Sequence, residues 1–342
     1  MFNESNLLVR GPEGAYTNEI IIPWTKSTLT PNGGNVLPIV NRLDIKQKFL
    51  PGSEWHYIKI YSGVKTADKI LTEVIEPMAA KLIEENVIDK WFFIRYADPD
   101  HHIRVRFAGA GNFYAEVTDK LNKALATYLE NHLAWKIQTD TYIRELERYG
   151  SENIENSEIL FFYDSVATLQ ILSLLEGDEG DEPRWQFALK GVDDLLNSFA
   201  LTLSEKKDLM AIISANFKKE FNAGNAENKK QLGAKYRECR KKIDLALQAE
   251  LNNEHEFYQV WQIFHERKRN LANCVTNINQ LYVCGKLSVH KSDLIASYIH
   301  MFLNRFLRSR QRMQEMVIYD LLHQYYKSIL AKAKNEKDRL VS

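Results

Sequence analysis

The stretch WFFIRYADPDHHIRVRFA, residues 91–108, holds two runs of aromatic and β-branched residues around a turn-rich centre. Residues 91–96 (WFFIRY) and 102–108 (HIRVRFA) have the composition and alternation of strands. The connection at 97–101 (ADPDH) carries the Asp and Pro of a tight turn, so the pair reads as a hairpin. Working outward, 55–61 (WHYIKIY) and 135–142 (WKIQTDTY) alternate in the same way. Between the first two strands, residues 66–86 place Ile70, Leu71, Val74, Ile75, Met78, Leu82 and Ile83 at the three- and four-residue spacing of an amphipathic helix. Pro77 falls inside that helix and is expected to kink or divide it. Residues 113–131 are again helical. The order β-α-β-β-α-β is the ferredoxin-like split βαβ pattern, which predicts an antiparallel sheet with helices on one face.

Beyond Gly150 the character changes. Residues 157–175, 185–203, 204–221, 228–250, 257–282 and 288–332 all favour helix, and 176–183 (EGDEGDEP) interrupts them with an acidic, glycine-containing loop. Ser204, followed by a glutamate with Leu209 and Ile212 behind it, is a candidate helix start. Upstream, 18–24 (NEIIIPW) suggests a short strand ending at Pro23, and 31–34 (PNGG) a turn. The expected fold class is α+β: an N-terminal arm (1–50) packing on the body, a sheet-containing half (51–150) and a mainly helical half (151–342). No fixed-period repeat is present, so a solenoid is not supported.

The 342 residues suffice for two average domains or one large one. Lys+Arg and Asp+Glu both number 45, a balance unlike the basic excess of proteins that hold nucleic acid through phosphate contacts. Stable nucleic-acid binding is therefore not expected. The basic runs 266–269 (ERKR) and 305–312 (RFLRSRQR) read first as solvated helix faces. Contact with a partner subunit, an acidic peptide or a substrate glutamate is the other reading. Cys239, Cys274 and Cys284 are far apart and form no CxxC pair, so they read as small buried thiols. No apolar run approaches the ~18 residues of a membrane span. The N-terminus lacks a basic segment followed by a long apolar one. A cytoplasmic protein is expected. There is no GxGxxG, GxxxxGK[ST] or HExxH motif, and the adjacent His101 and His102 would face opposite ways in a strand. No cofactor or metal is expected.

Three segments carry residues suited to chemistry. In 102–107 (HIRVRF), strand alternation points Arg104 and Arg106 to one face and Ile103, Val105 and Phe107 to the other. Two guanidinium groups within ~7 Å are costly unless water or an anion lies between them. The plain reading is a half-exposed strand with a solvated outer face; the functional one is a carboxylate or oxyanion clamp built from fixed donor forks. Residues 144–150 (RELERYG) read plainly as surface ion pairs of little energetic weight. In 297–306 (SYIHMFLNRF), His300 sits among apolar residues, a setting more often structural than catalytic.

Taken together and in order, 51–55 (PGSEW), 57–61 (YIKIY), 91–107, 140–150 (DTYIRELERYG) and 297–305 (SYIHMFLNR) resemble the C-terminal elimination domain of class I lantibiotic dehydratases. That domain is also seen as a separate protein in thiopeptide and split lantibiotic pathways. The resemblance spans roughly residues 18–330, and the ordered set is far more specific than any one motif. It implies a catalytic constellation of Arg104 and Arg106 from an R-x-R strand, Glu145 and Arg148 from an E-x-x-R-Y-G element, and His300 from an H-M-x-x-N-R element. Ser151 stands where a second glycine is common, and the long N-terminal glutamylating domain is not in this sequence.

The implied activity is a lyase reaction. Glutamate leaves from glutamylated Ser or Thr of a ribosomally made precursor peptide, giving dehydroalanine or dehydrobutyrine. A separate glutamyl-tRNA-dependent subunit would supply the ester, and a homodimer is left open. Arg106 and Arg148 would serve the carboxylate and the developing enolate, Arg104 would support them, and His300 would transfer a proton as acid or base. Glu145 would orient an arginine or hold the imidazole protonated. Two alternatives accompany this reading: an enzyme forming the thiopeptide pyridine by cycloaddition, and a non-catalytic subunit that recruits the precursor peptide.

Overall fold

The structure, a computed structural model, describes residues 8–12, 14–17, 45–175, 181–248 and 257–341. The chain divides into two units, Met1–Leu37 and Pro38–Ser342. In the first, β1 (Leu8–Gly11) pairs antiparallel with β2 (Gly14–Thr17). The strand expected at 18–24 and the turn at 31–34 lie outside the described residues.

In the second unit, β3 (Lys48–Phe49) pairs with β8 (Tyr142–Ile143). The main sheet holds β4 (Trp55–Ser62), β5 (Lys90–Tyr96), β6 (His102–Ala108) and β7 (Ala134–Asp140) in the order β5-β6-β4-β7, with every neighbour antiparallel. Alternation then sorts the side chains. Ile58, Ile60, Trp91, Phe93, Ile103, Val105 and Phe107 are buried on one face. They share a core with Ile70, Leu71, Ile75 and Leu82, and with Val117, Leu121 and Leu125 of α3 (Phe113–Glu130).

The helix expected over 66–86 is divided as Pro77 suggested, but by an unanticipated device. It runs as α1 (Val64–Ile70), a π-helical turn (Leu71–Ile75) and α2 (Glu76–Glu84). Proline has no N–H to give the preceding turn, and the wider turn ahead of it accommodates the missing bond.

The helical half comprises α4 (Leu146–Tyr149), α5 (Ile154–Ser173), α6 (Asp181–Ser198), α7 (Leu203–Glu220), α8 (Ala226–Gln248), α9 (Tyr258–Val283), α10 (Lys291–Phe306) and α11 (Gln311–Val341). The expected helix start at Ser204 shifts by two residues. Thr202 is the N-cap, accepting from the Glu205 N–H at 3.3 Å while the Glu205 side chain returns to the Thr202 N–H at 2.7 Å. The single helix expected over 288–332 is two. Leu307 turns extended while buried to 1% exposure, and Arg310 takes φ +47, so the chain reverses between α10 and α11. Gly191 of α6 leaves room for rings of α9 and α10: a Cβ there would lie 2.2 Å from the Phe302 ring and 3.0 Å from Phe264.

The basic runs are not simply solvated faces. Arg267 and Arg305 are buried, and Arg308 joins Arg95 and Arg184 on Asp68 of α1, at 2.8, 2.6 and 2.9 Å. Burial opposes ionisation of that carboxyl, but the three guanidinium groups outweigh it and hold Asp68 well below the usual carboxylate range. Of the cysteines, Cys239 and Cys274 are buried as expected, whereas Cys284 is exposed. No described helix is long and apolar enough to cross a membrane.

His56 lies on the helical face of the sheet, 1% exposed, with Nε2 3.4 Å from Thr118 Oγ1 and its ring centroid 4.4 Å from that of Tyr114. Desolvation lowers its pKa from 6.5 to about 4. Between those values the unfolded chain takes up a proton that the folded one refuses, so stability present above pH 6.5 is lost as pH falls toward 4. At ~1.4 kcal/mol per unit, wild type should lose about 2 kcal/mol between pH 7 and 4.5 relative to a His56→Gln variant. Urea denaturation of both proteins at the two pH values measures this, and an unchanged difference would remove His56 as the source.

Candidate active site

The second face of the sheet carries the arginine pair. Across β6, Tyr57 and Phe92 flank Arg106, and Lys59 and Ile94 flank Arg104. The plain expectation of a solvated outer face fails here, because α5 and α10 pack against β5 and leave Arg106 only 8% exposed. Its guanidinium carbon sits 4.4 Å from the ring centroid of Tyr57, 4.9 Å from Tyr142 and 5.2 Å from Phe92. Its Nε is buried without a hydrogen-bond partner, and no carboxylate among the described residues pairs with it. An aromatic box favours a cation but supplies no acceptor.

Arg104 is held differently. Its guanidinium lies 3.5 Å from the Tyr96 ring centroid, and its Nε donates to His102 Nε2 at 3.0 Å. His102 Nδ1 then donates to the Asp100 carbonyl at 2.8 Å. Burial, abetted by the neighbouring Arg104 and Lys59, lowers the His102 pKa and suits a neutral ring. Lys59 is ion-paired with Asp140 of β7.

The segment 144–150 is more than surface ion pairing. Arg144 is buried, donating to both oxygens of the buried Glu158 at 2.7 and 2.8 Å. Arg148, on the single turn of α4, meets Glu145 at 3.4 Å and donates from Nε to Ser297 Oγ at 3.2 Å. Gly150 ends that turn at φ +78, where a Cβ would fall 2.4 Å from Glu152 Oε1. Glu152 in turn accepts from the Ser288 N–H at 2.7 Å. Ser151 adds a hydroxyl bond to the same Glu152 at 3.2 Å, so its departure from the family pattern is accommodated.

On α10, Ser297 and His300 lie three residues apart and share a face. His300 Nδ1 is 3.0 and 3.1 Å from the two oxygens of Glu315 on α11, a carboxylate with no exposed surface. Glu315 also accepts from the Tyr319 hydroxyl at 3.3 Å and from the Gln311 amide.

The rest of the motif docks α10 on the sheet. Asn304 exchanges both backbone bonds of Arg95 at 2.9 Å each, and Arg305 Nε donates to the Phe93 carbonyl at 2.9 Å. Arg305 Nη1 also meets Asp164 of α5 at 3.0 Å, and Arg267 of α9 meets the same carboxylate at 2.9 Å.

Contacts thus bring together Glu145, Arg148 and, through Ser297, the helix of His300. Arg104 and Arg106 have no direct hydrogen bond to that group. Arg106 is close enough for its charge to act on Tyr149, the residue after Arg148, and on Arg305. A cleft of about 880 Å³ lies at one end of the sheet beside Trp55, Lys90 and Arg144, and another of about 580 Å³ lies between α6, α8 and α11 beside Trp185 and Met313. Neither is lined by the five residues. No group of three metal-ligating side chains occurs among the described residues. Sequence reasoning missed Glu315, whose only trace is polar Gln311, Glu315 and Tyr319 at four-residue spacing on one stripe of α11.

A family model described as lantibiotic biosynthesis dehydratase C-term matches residues 55–326. The nisin biosynthesis protein NisB of Lactococcus lactis subsp. lactis is 24% identical over 327 residues, 94% of this chain and 30% of NisB. Among solved structures, the tRNA-dependent lantibiotic dehydratase MibB from Microbispora sp. 107891 is similar with a TM-score of 0.62 at 20% identity, over 83% of this chain and 29% of MibB. The pyridine synthase TbtD from thiomuracin biosynthesis is similar with a TM-score of 0.55 at 13% identity, over 80% of this chain and 99% of TbtD. The chain spans less than a third of the length of NisB and of MibB.

Because Asp164 is the shared counter-ion of two buried guanidinium groups, Asp164→Asn should leave Arg305 without a carboxylate and Arg267 with only Asp194 at 3.9 Å. The expected cost is about 3 kcal/mol or more, read as a lowered denaturation midpoint. A variant as stable as wild type would show that the triad is not the tie it resembles.

Proposed function

The chain belongs to the lantibiotic biosynthesis dehydratase C-terminal family, and we propose that it is a lyase eliminating glutamate from glutamylated Ser or Thr of a precursor peptide. A separate glutamyl-tRNA-dependent subunit supplies the ester in the cytoplasm, and the product is dehydroalanine or dehydrobutyrine. The sheet is read as ferredoxin-like, a reading supported by its β-α-β-β-α-β order and its antiparallel arrangement β5-β6-β4-β7.

The observation that carries the proposal is the state of Arg106. A guanidinium 8% exposed, boxed by three aromatic rings and without a carboxylate, is an anion site in waiting. Elimination presents two anions. Taking the α-proton builds charge on the adjacent carbonyl oxygen, and breaking the Cβ–O bond releases a carboxylate. The carboxylate leaves far more readily than hydroxide, since its conjugate acid has a pKa of about 4. Preorganised donors at the developing oxyanion are each worth on the order of 3 kcal/mol. Arg106 and Arg148 are assigned to the enolate and the glutamyl carboxylates, with Arg104 in support. Glu145 orients Arg148, an assignment supported by their 3.4 Å contact. His300 moves the proton. The five residues act in one cleft on this reading.

The likeness to a pyridine synthase over nearly all of that chain favours a second reading, cycloaddition of two dehydroalanines. Retention of Arg104, Arg106, Glu145, Arg148 and His300 favours elimination.

Two outcomes test the proposal by mass spectrometry. The purified chain should release glutamate from a preformed glutamyl-ester peptide without tRNA and leave the unesterified peptide untouched; ring formation or no mass change would sink the elimination reading. With the same ester peptide, His300→Ala should leave the ester in place. Arg106→Lys should be slowed at least tenfold, about 1.4 kcal/mol, because a point charge cannot reproduce a bidentate fork. Full turnover by either variant removes that residue from the mechanism.

A further inference from the structure

We propose that Glu315 is a positioning residue that fixes the tautomer of His300, so that Nε2 alone exchanges a proton with substrate and does so as the base. The inference rests on the elimination reading for its use of His300, and on geometry for the rest. A carboxylate offers only acceptors. With both Glu315 oxygens 3.0–3.1 Å from Nδ1, that nitrogen must carry the hydrogen, and in the neutral ring the lone pair is left on Nε2. The other tautomer would set a nitrogen lone pair against a buried anion.

Glu315 is itself constrained. It has no exposed surface, accepts from Tyr319 at 3.3 Å and from Gln311, and has Arg312 Nη1 at 3.6 Å. Gln311 accepts from Asn304 at 2.7 Å, and Asn304 holds the Arg95 backbone. One chain of hydrogen bonds therefore runs from the edge of the sheet to the imidazole. The His300 side chain is 25% exposed while its partner is wholly buried, so the Nδ1 edge faces inward and the Nε2 edge outward. Ser297, which receives Arg148, lies one turn away on the same helix face.

In the step this implies, the Nε2 lone pair takes the α-proton and the C–H pair becomes the Cα=Cβ bond. The Cβ–O bond breaks with its electrons leaving on the glutamate carboxylate. The resulting imidazolium is stabilised by Glu315 and returns its proton to the departing carboxylate or to water.

The test is nitrogen NMR of the full chain labelled at histidine, with His300→Ala identifying the signals, at a pH that leaves the ring neutral. Wild type should show His300 as the Nδ1–H tautomer. Glu315→Gln, whose amide can donate to Nδ1, should shift it to Nε2–H and lower kcat for ester elimination about 100-fold or more with KM little changed. Glu315→Asp should keep the tautomer and recover part of the rate. The wild-type spectrum needs no variant to fold, and an Nε2–H tautomer there overturns the assignment of Glu315. A Glu315→Gln variant that keeps both tautomer and kcat overturns it equally. Wild type with the Nδ1–H tautomer but no elimination from an ester peptide overturns instead the elimination reading on which this inference rests, a different failure.

Discussion

The free edge of β5 governs much of this molecule. A buried edge strand presents backbone N–H and C=O groups that must find partners, and an unpaired one costs about as much as a lost hydrogen bond. Among the described residues no further strand supplies them. The Phe93 N–H donates to Ser165 of α5 at 3.3 Å, its carbonyl accepts from Arg305, and both Arg95 groups go to Asn304. Arg95 returns the favour, its Nε donating to the Arg305 carbonyl at 2.8 Å. These bonds are specific in position, unlike apolar packing, and they set the rotation and register of α10 on the sheet. His300 and Ser297 inherit their places from that docking. Asp164, meeting Arg305 from behind and Arg267 beside it, locks α5, α9 and α10 to the same point.

The parts of this fold that were legible in sequence are those set by local periodicity. The four strands of the main sheet, the hairpin at 97–101 and the opposite facing of Arg104 and Val105 all follow from a period of two, which needs no knowledge of partners. What was not legible depends on contacts made across the chain. The break between α10 and α11 is invisible to periodicity, because Leu307 leaves the helix to stay buried and no glycine or proline marks the place. The two-residue strands β3 and β8 pair across almost a hundred positions and carry no pattern of their own. The π turn before Pro77 is a local remedy that composition does not announce.

The site divides in the same way. The arginine pair, Arg148 and His300 were readable as residue types in an ordered set of motifs. Glu315 was not, since a glutamate amid QRMQEM looks like any solvated helix residue until the fold buries it against an imidazole. Asn304 and Arg305 were readable as motif letters but not as clamps on a strand edge, for the strand lies more than two hundred residues away.

Net charge says little about such a molecule, and the pairing of individual arginines says much. Arg95, Arg184 and Arg308 share Asp68; Arg267 and Arg305 share Asp164; Arg144 has Glu158. Each is a buried or largely buried cation whose desolvation is offset by a carboxylate, as burial of charge requires. Arg106 is as buried as several of these and has none. Its rings soften the cost without satisfying its donors. Within one protein, then, the same side chain occurs in two conditions. Where a guanidinium holds helices to the sheet, the fold provides its anion. Where the fold withholds one, as at Arg106, the donors are left without an anion of their own. That contrast needs no comparison with any relative, and it singles out Arg106 from the other buried arginines on physical grounds alone.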